Sequence, residues 1–293
     1  MARRVRILAP AKVNLTLEIL GRRADGYHDL ASVMATIDLH DDVRVAPSRT
    51  LDVRIRPDVG APAGEDLATR AVRALARASG REPRAHVSVR KRIPVAAGLG
   101  GGSSDAAAVL RALAALWRVD VDLASLAATI GSDVPFFAAG VPVARVGGRG
   151  ERVEALPPIA ELWVVLVTLA RRVPTAAVFA ARGEDERSDG GSTEHVAALL
   201  RDGRVRPADL RSHSRNDLLP AAERTCPEIR EARALAARSG ITLFLSGSGP
   251  SLFAIADDRA HALRLTRLLR RAGLRARPLR AATAGERTRA PSP

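Results

Sequence analysis

One stretch restricts this chain more than any other: Pro94-Val95-Ala96-Ala97-Gly98-Leu99-Gly100-Gly101-Gly102-Ser103-Ser104-Asp105-Ala106-Ala107-Ala108. Four glycines and two serines within seven residues open directly onto an alanine- and leucine-rich helical stretch. Glycine lets backbone amides turn inward and approach an oxyanion with no Cβ in the way. A helix behind the loop points its positive end back at the same spot. Loop and helix together make a site for phosphate; a flexible linker that happens to precede a helix is the plain alternative. A Walker A loop needs a lysine after its last glycine, and none follows here. A dinucleotide fingerprint needs a third glycine where Ser103 stands. Neither standard loop fits.

Composition narrows the field. At 293 residues the chain has material for one large domain or two ordinary ones, and 46% hydrophobic residues is normal for a globular protein. No run reaches the roughly 18 apolar residues of a membrane span; the longest candidate, 162–170, is strand-sized. The basic N-terminus meets no long apolar region before Lys12 and Asn14, so no signal peptide is expected. Cys226 is the single cysteine and has no partner for an internal disulfide, which fits a reducing cytoplasm. A cytoplasmic protein with no membrane partner is the expectation.

The net charge of +14 raises the question of nucleic acid. The basic residues number 46, and two alone are lysine, Lys12 and Lys91. The arginines are spread along the chain beside alanines, a pattern of solvated helix faces rather than one basic stripe, and aromatic residues for base stacking are 3%. No nucleic-acid partner is expected, although the excess charge helps attract polyanionic substrates. The scarcity of lysine carries more information. Where arginine is the default cation, a compact, mobile ammonium needs a reason.

Alternation predicts strands at 5–9, 13–20, 32–38, 42–45, 51–55 and 85–90, with a hairpin turn at Asp25-Gly26. Helical periodicity covers 65–79, with Asp66 as N-cap and Gly80 as stop, then 104–117 and 123–130. A buried strand is expected at 160–169, a mobile loop at 183–192, and helices at 194–201 (N-cap Thr193), 227–239 and 260–272. Strands at 241–245, 252–256 and 275–279 complete the pattern, and the polar segment 281–293 reads as a disordered tail. Strands and helices alternate without regular βαβ spacing, so the fold class is α+β.

Three separated segments share one pattern. Ala9-Pro10-Ala11-Lys12-Val13-Asn14-Leu15, the glycine run, and Leu245-Ser246-Gly247-Ser248-Gly249-Pro250-Ser251 resemble, in that order, the three signature motifs of the GHMP kinase superfamily. Two more stretches narrow the likeness. Gly21-Arg22-Arg23-Ala24-Asp25-Gly26-Tyr27-His28-Asp29-Leu30 and Gly131-Ser132-Asp133-Val134-Pro135-Phe136-Phe137 resemble blocks of the 4-diphosphocytidyl-2-C-methyl-D-erythritol kinases. The likeness runs from about 7 to 256.

The resemblance implies a two-domain fold with the active site in the cleft between domains: an ATP-binding domain over 1–155, a C-terminal domain over 156–280, and the tail. It implies a kinase that uses ATP and Mg2+ to phosphorylate the 2-hydroxyl of a cytidine diphosphate-linked methylerythritol, a small-molecule substrate, in isoprenoid precursor synthesis. The expected state is a monomer or homodimer. A sibling kinase for homoserine, mevalonate or a sugar is the alternative, and a catalytically silent, ligand-binding relative is another.

Carried onto this chain residue by residue, Asp133 accepts or orients the proton of the attacking hydroxyl, as an aspartate does in protein kinases. Its structural alternative is an N-cap for a helix starting at Val134 or Pro135. Lys12 stabilises charge as it shifts; its alternative is a surface lysine on a strand. Residues Pro94 through Ser104 bind ATP, the Ser103 or Ser104 hydroxyl being the candidate to touch Mg2+ or phosphate. No His/Cys cluster suggests a metal held by the protein itself. Tyr27 and His28 resemble a clamp for cytosine, against a core-packing alternative. Asn14, Thr175 and Phe179 match positions near the ligand, although the spacing of Thr175 and Phe179 equally suits one helix face packed on the core. Lys91 either reaches the nucleotide or is a solvated strand end. The chain departs from the family at Asp66-Leu67, where Asn-Leu is common, and at Ala96-Ala97, where glycine or methionine is frequent.

Overall fold

The structure, a computed structural model, describes residues 4–60, 62, 64–159, 161–183 and 187–281. Two long strands set its frame. β1 (Val5–Arg22) and β2 (His28–Pro47) form an antiparallel hairpin about the Asp25-Gly26 turn, with Arg22 opposite His28. The alternation pattern breaks this region into four strands; the chain makes two, because register shifts at Pro10/Ala11, Asn14/Thr16 and Ile19/Gly21 carry it past the breaks. An extra residue bends a strand and re-aims its side chains without ending it. All residues from 11 to 19 are buried. Asn14, Thr16 and Glu18 are among them, so the polar positions of this strand face the interior too.

β3 (Leu51–Arg56) runs parallel to β4 (Ala85–Arg90), and β4 pairs with β2. β5 (Val143–Gly148) also lies on β2 and carries β6 (Arg152–Ala155). Later come β7 (Trp163–Val167), the two-residue β8 (Arg215–Asn216), β9 (Phe244–Leu245), β10 (Leu252–Ala256) and β11 (Ala276–Arg280). β8 joins the first sheet beside β1, and the other four form a second sheet in the order β11-β7-β10-β9.

Helices α1 (Leu67–Ala78), α2 (Gly101–Trp117), α3 (Leu123–Ala128) and α4 (Val134–Ala139) accompany the first sheet. Val72 and Leu75 of α1 and Val109 and Leu113 of α2 pack in one core with Val43, Val45, Val87 and Val89. The second half contributes α5 (Thr175–Ala180), α6 (Gly191–Arg201), α7 (Pro207–His213), α8 (Leu219–Thr225), α9 (Pro227–Ala237) and α10 (Arg259–Arg271). A further core brings Val13, Leu15 and Ile37 of the first sheet against Leu162, Val164, Phe253 and Ile255. Among the described residues no helix is long and apolar enough to cross a membrane.

Some expected boundaries shift. α6 begins at Gly191, so Thr193 lies inside its first turn: its N–H donates to Glu18 Oε2 at 2.7 Å and its hydroxyl to Thr16 Oγ1 at 2.9 Å. Buried acceptors on β1 take those donors, a long-range effect that local spacing does not carry. Of the expected mobile loop, 184–186 lie outside the described residues. Ala281 forms a bridge with Ile37, and the remainder of the expected tail, 282–293, lies outside the described residues.

Asp66 caps α1 as its spacing suggests. Its carboxylate accepts from Thr69 N at 2.8 Å and from Thr69 Oγ1 at 2.7 Å. Asp66→Ala is expected to lower unfolding stability by about 1 kcal/mol, read as a lower urea midpoint; an unchanged midpoint contradicts the capping role.

Candidate active site

A cleft of about 720 Å3 opens where β1, the loop before α2, the segment before α4 and the turn after β9 converge. Lys12 lines it while being 2% exposed. A buried ammonium is costly unless paired and hydrogen-bonded. Here Lys12 Nζ donates to Asn14 Oδ1 at 2.6 Å and stands 3.4 Å from Asp133 Oδ2. Its backbone N–H donates to Leu99 O at 3.0 Å, tying β1 to the glycine loop. The surface-lysine alternative does not hold.

Asn14 holds this arrangement together. Its Oδ1 also accepts from Gly247 N at 2.9 Å, and its Nδ2 donates to Ser32 Oγ at 2.9 Å. Both acceptor sites and one of two amide protons are engaged within the protein. Asp133 stands at the N-cap position of α4, yet its side chain makes no capping hydrogen bond. Its carboxylate, 29% exposed, faces Lys12 instead.

The glycine loop is stitched to the third motif. Gly98 has φ +73°, and a Cβ there would lie 2.0 Å from the Ser246 carbonyl oxygen, so any side chain would force the two loops apart. Ser246 Oγ donates to Gly98 O at 2.9 Å, and Ser251 N to Ala97 O at 3.3 Å. Ala96 takes φ +51°, a left-handed conformation in which a Cβ costs about 1–2 kcal/mol. α2 begins after Gly100 with no side-chain cap, which leaves its first amides free of side-chain acceptors. At the same turn Ser104 Oγ is buried without a hydrogen-bond partner among the described residues.

Lys91 is neither solvated nor loose. Its Nζ donates to Asp41 Oδ2 at 2.5 Å and Asp105 Oδ2 at 2.6 Å, with 5% of its side chain exposed. Asp41 Oδ1 accepts from Arg92 N at 2.5 Å and Ile93 N at 2.9 Å. This clamp fixes the end of β4 to the first turn of α2. Burial outweighs the pull of Lys91 and pushes Asp105 up from 3.8 to about 7. Lys91 is itself held above its usual range, Asp105 and Asp41 overcoming the burial that would lower it.

The aromatic residues gather at one end. Phe179 lines the cleft, and His28 packs on it with ring centroids 5.1 Å apart. Burial, then the charges of Arg182 and Arg22, hold His28 below its usual range, so its imidazole is neutral at neutral pH. Tyr27 is 53% exposed, which removes the core-packing alternative. Neither Tyr27 nor His28 lines the cleft itself, and each touches a residue that does. Thr175, at the start of α5, shares a 2.9 Å hydrogen bond with Ser248 Oγ. Asp41, Asp105, Ser32 and Asn216 carry no signal in the sequence reading. Asn216, whose Nδ2 donates to Leu245 O at 2.9 Å and Gly247 O at 2.8 Å, sits on a two-residue strand too short to show periodicity.

Residues 66–141 match the GHMP kinases N terminal domain and 196–273 the GHMP kinases C terminal family. The 4-diphosphocytidyl-2-C-methyl-D-erythritol kinase of Rhodospirillum rubrum is 38% identical over 87% of this chain and 84% of its own length. Those of Symbiobacterium thermophilum and Anaeromyxobacter dehalogenans 2CP-1 are 41% and 44% identical, over 89% and 87% of this chain and 93% and 82% of their own. A crystal structure of 4-(cytidine 5'-diphospho)-2C-methyl-D-erythritol kinase superposes with TM-score 0.78 at 36% identity, covering 96% of this chain and all (100%) of that one. Homoserine kinase from Cytophaga hutchinsonii shares the fold, at TM-score 0.72, 18% identity and 96% and 95% coverage. Fold and site define a GHMP kinase, an ATP-dependent small-molecule kinase. Within that class the chain belongs to the 4-diphosphocytidyl-2-C-methyl-D-erythritol kinase family.

The buried clamp has a pH signature. An acid whose folded pKa exceeds its unfolded one binds an extra proton on folding between the two values, so stability falls as pH rises through that window. For Asp105 the window is about pH 4 to 7. Wild-type protein should lose stability relative to Asp105→Asn across this range in urea titrations at several pH values; parallel curves would contradict the assignment.

Proposed function

We propose that the chain transfers the γ-phosphoryl group of ATP to the 2-hydroxyl of 4-diphosphocytidyl-2-C-methyl-D-erythritol, in the methylerythritol phosphate route to isoprenoid precursors. The observation that carries the reading is the 3.4 Å Lys12–Asp133 pair. It lies in a cleft that also holds a phosphate-type loop and Phe179, the partner of His28.

In this reading the substrate hydroxyl gives its proton to Asp133 while its oxygen forms the new bond to the γ-phosphorus. The bond from that phosphorus to the bridging oxygen breaks, and ADP leaves. Phosphoryl transfer depends mainly on positioning and charge stabilisation. Lys12 supplies a fixed positive charge beside the reacting oxygens. The amides from Gly98 to Ser103 take the β- and γ-phosphates, the Ser104 amide being held by the Gly100 carbonyl at 2.9 Å, and Ile55, Val59 and Leu67 give the same cleft an apolar wall for adenine.

Among the described residues no group of three or more His, Cys, Asp or Glu side chains could hold a metal ion. The unpaired hydroxyl of Ser104, with Ser103 on the same turn, fits a Mg2+ carried on the phosphates. The cation, when bound, neutralises charge on the phosphate oxygens.

Tyr27, His28 and Phe179 form the cytosine end, Thr175 steadies the turn at Ser248, and Asn14 acts by positioning Lys12. A homoserine or mevalonate kinase has no use for an exposed tyrosine beside a neutral histidine, which favours the cytidine compound. The reading includes action in the cytoplasm as a monomer or homodimer, with ATP bound mainly by residues 1–155 and the remainder of the fold within 156–280.

A substrate panel with ATP and Mg2+ tests it. Turnover is expected with the cytidine compound and not with mevalonate or homoserine; the reverse result overturns the assignment. Asp133→Ala should lower kcat by about 10^2–10^4 while ATP affinity measured by calorimetry holds. Tyr27→Ala should raise KM for the cytidine compound by about tenfold, the effect of losing one base-stacking ring, and leave KM for ATP in place.

A further inference from the structure

Where β2, β3 and β4 lie side by side, the first sheet turns one face to the α1–α2 core and the other to solvent. Val43, Val45, Val87 and Val89 belong to that core, with Val53 and Ile55 packed against it. Side chains alternate along a strand, so residues 42, 44, 54, 56, 88 and 90 face the other way. Strand pairing brings together on this outer face arginines that are scattered in the sequence. Arg6 stands opposite Arg44, Arg44 opposite Ser88, and Ser88 opposite Arg54. In the next rank Asp42 stands opposite Arg90, and Arg90 opposite Arg56. A cavity of about 580 Å3 lies over these ranks, with Arg44, Arg56, Ser88 and Arg90 in its lining.

The charges on this face do not cancel. Arg6 reaches the Asp42 carboxylate at 3.0 and 2.9 Å, and Arg44 reaches it at 3.2 and 3.1 Å. Arg54 pairs with Asp52 at 2.9 Å. Arg56 and Arg90 are left over. Both are exposed, and among the described residues neither guanidinium makes an ion pair or a hydrogen bond. Asp42, the neighbour of Arg90, is 4% exposed and already holds two guanidiniums. Paired strands lie about 4.8 Å apart, and like charges directly opposite one another destabilise a sheet. Two arginines in register without a carboxylate are set up for an anion from outside the chain.

The donors say which anion. Two planar forks side by side match the oxygens of a phosphate group, each fork giving a paired contact. The Ser88 hydroxyl lines the same cavity, and no aromatic ring does, so a base has nothing to stack on there. We propose that Arg56 and Arg90 form a second anion site, outside the catalytic cleft, for a small molecule carrying a phosphate or diphosphate group. Neither arginine lines the cleft, and Lys91 is the one lining residue that the two cavities share. Phosphoryl transfer as read above makes no use of this face. The site lies close to the clamp behind the phosphate loop all the same, because the Lys91 N–H donates to Arg56 O at 2.7 Å.

Calorimetric titration with inorganic diphosphate at one ionic strength, on wild type, Arg56→Met, Arg90→Met and Arg54→Met, tests the assignment. Arg56→Met and Arg90→Met should each weaken diphosphate binding by roughly 10- to 100-fold, the span for losing a charge-assisted bidentate contact. Arg54→Met removes the same charge from an arginine already paired with Asp52, and should change the affinity less than about threefold. Without diphosphate, the thermal midpoint of Arg56→Met should be unchanged or higher, since the substitution relieves a like-charge pair. KM for ATP should be unmoved in all three variants. Equal affinity in wild type, Arg56→Met and Arg90→Met would overturn the proposal, because the anion would then sit elsewhere. So would an equal loss in Arg54→Met, which would mean that net charge alone attracts it, or a lowered midpoint in Arg56→Met, which would make the arginine structural. A short single-stranded oligonucleotide should bind no more tightly than diphosphate; a tighter complex that depends on Arg56 would overturn the small-molecule assignment in favour of a nucleic-acid backbone.

Discussion

A single buried ammonium organises the site. Removing Lys12 from water costs several kcal/mol unless its partners are in place, and those partners come from distant parts of the chain. Asn14 stands two residues along the same strand, Asp133 at the start of α4. Asn14 Oδ1 serves both Lys12 and the Gly247 amide, so the position of the ammonium and that of the third motif cannot be set independently. Gly98 closes the circuit, because its lack of a side chain lets the glycine loop rest on Ser246. Strand, loop, helix start and turn are each anchored to the same few atoms. A shift in any one would strand a buried polar group.

The charge pattern around that centre is correspondingly uneven. Most of the chain's 46 basic residues are arginines, and its two lysines are both buried in carboxylate-bearing clusters at the site. An ammonium accepts three-dimensional surroundings that a planar guanidinium does not. Lys12 faces Asp133 across the cleft, whereas Lys91, on the wall of the same cleft, is shared by Asp41 and Asp105. That clamp joins β2, β4 and α2 and so holds the geometry of the phosphate loop. Its cost is visible in Asp105, which burial drives to about 7 despite the adjacent ammonium.

The sequence disclosed the parts of this site that are local. The glycine run, Lys12, Asp133 and the Tyr27-His28 pair are contiguous motifs, and the lysine scarcity is a composition effect. Asp66 at α1 was legible for the same reason, its partner Thr69 lying one turn away. What the sequence hid depends on contacts across the fold. Lys91 and Asp41 are 50 residues apart and meet only because β2 and β4 pair. Alternation at 13–20 marked a strand but not its burial: β1 is covered on both sides, and Asn14, Thr16 and Glu18 carry its internal polar network. Strand β8 was too short to show a period of its own, and bulges let β1 and β2 run through apparent breaks.

The central claim is that Lys12 and Asp133 act as one unit in transfer, not as two independent contributors. A double-mutant cycle measures this directly: kcat with the cytidine substrate for wild type, Lys12→Met, Asp133→Asn and the double variant, each checked for ATP affinity. Groups acting as a unit give strongly non-additive losses. The expected result is a double variant about as slow as the slower single one, with ATP affinity retained in all four proteins. Losses that multiply in the double variant would contradict it.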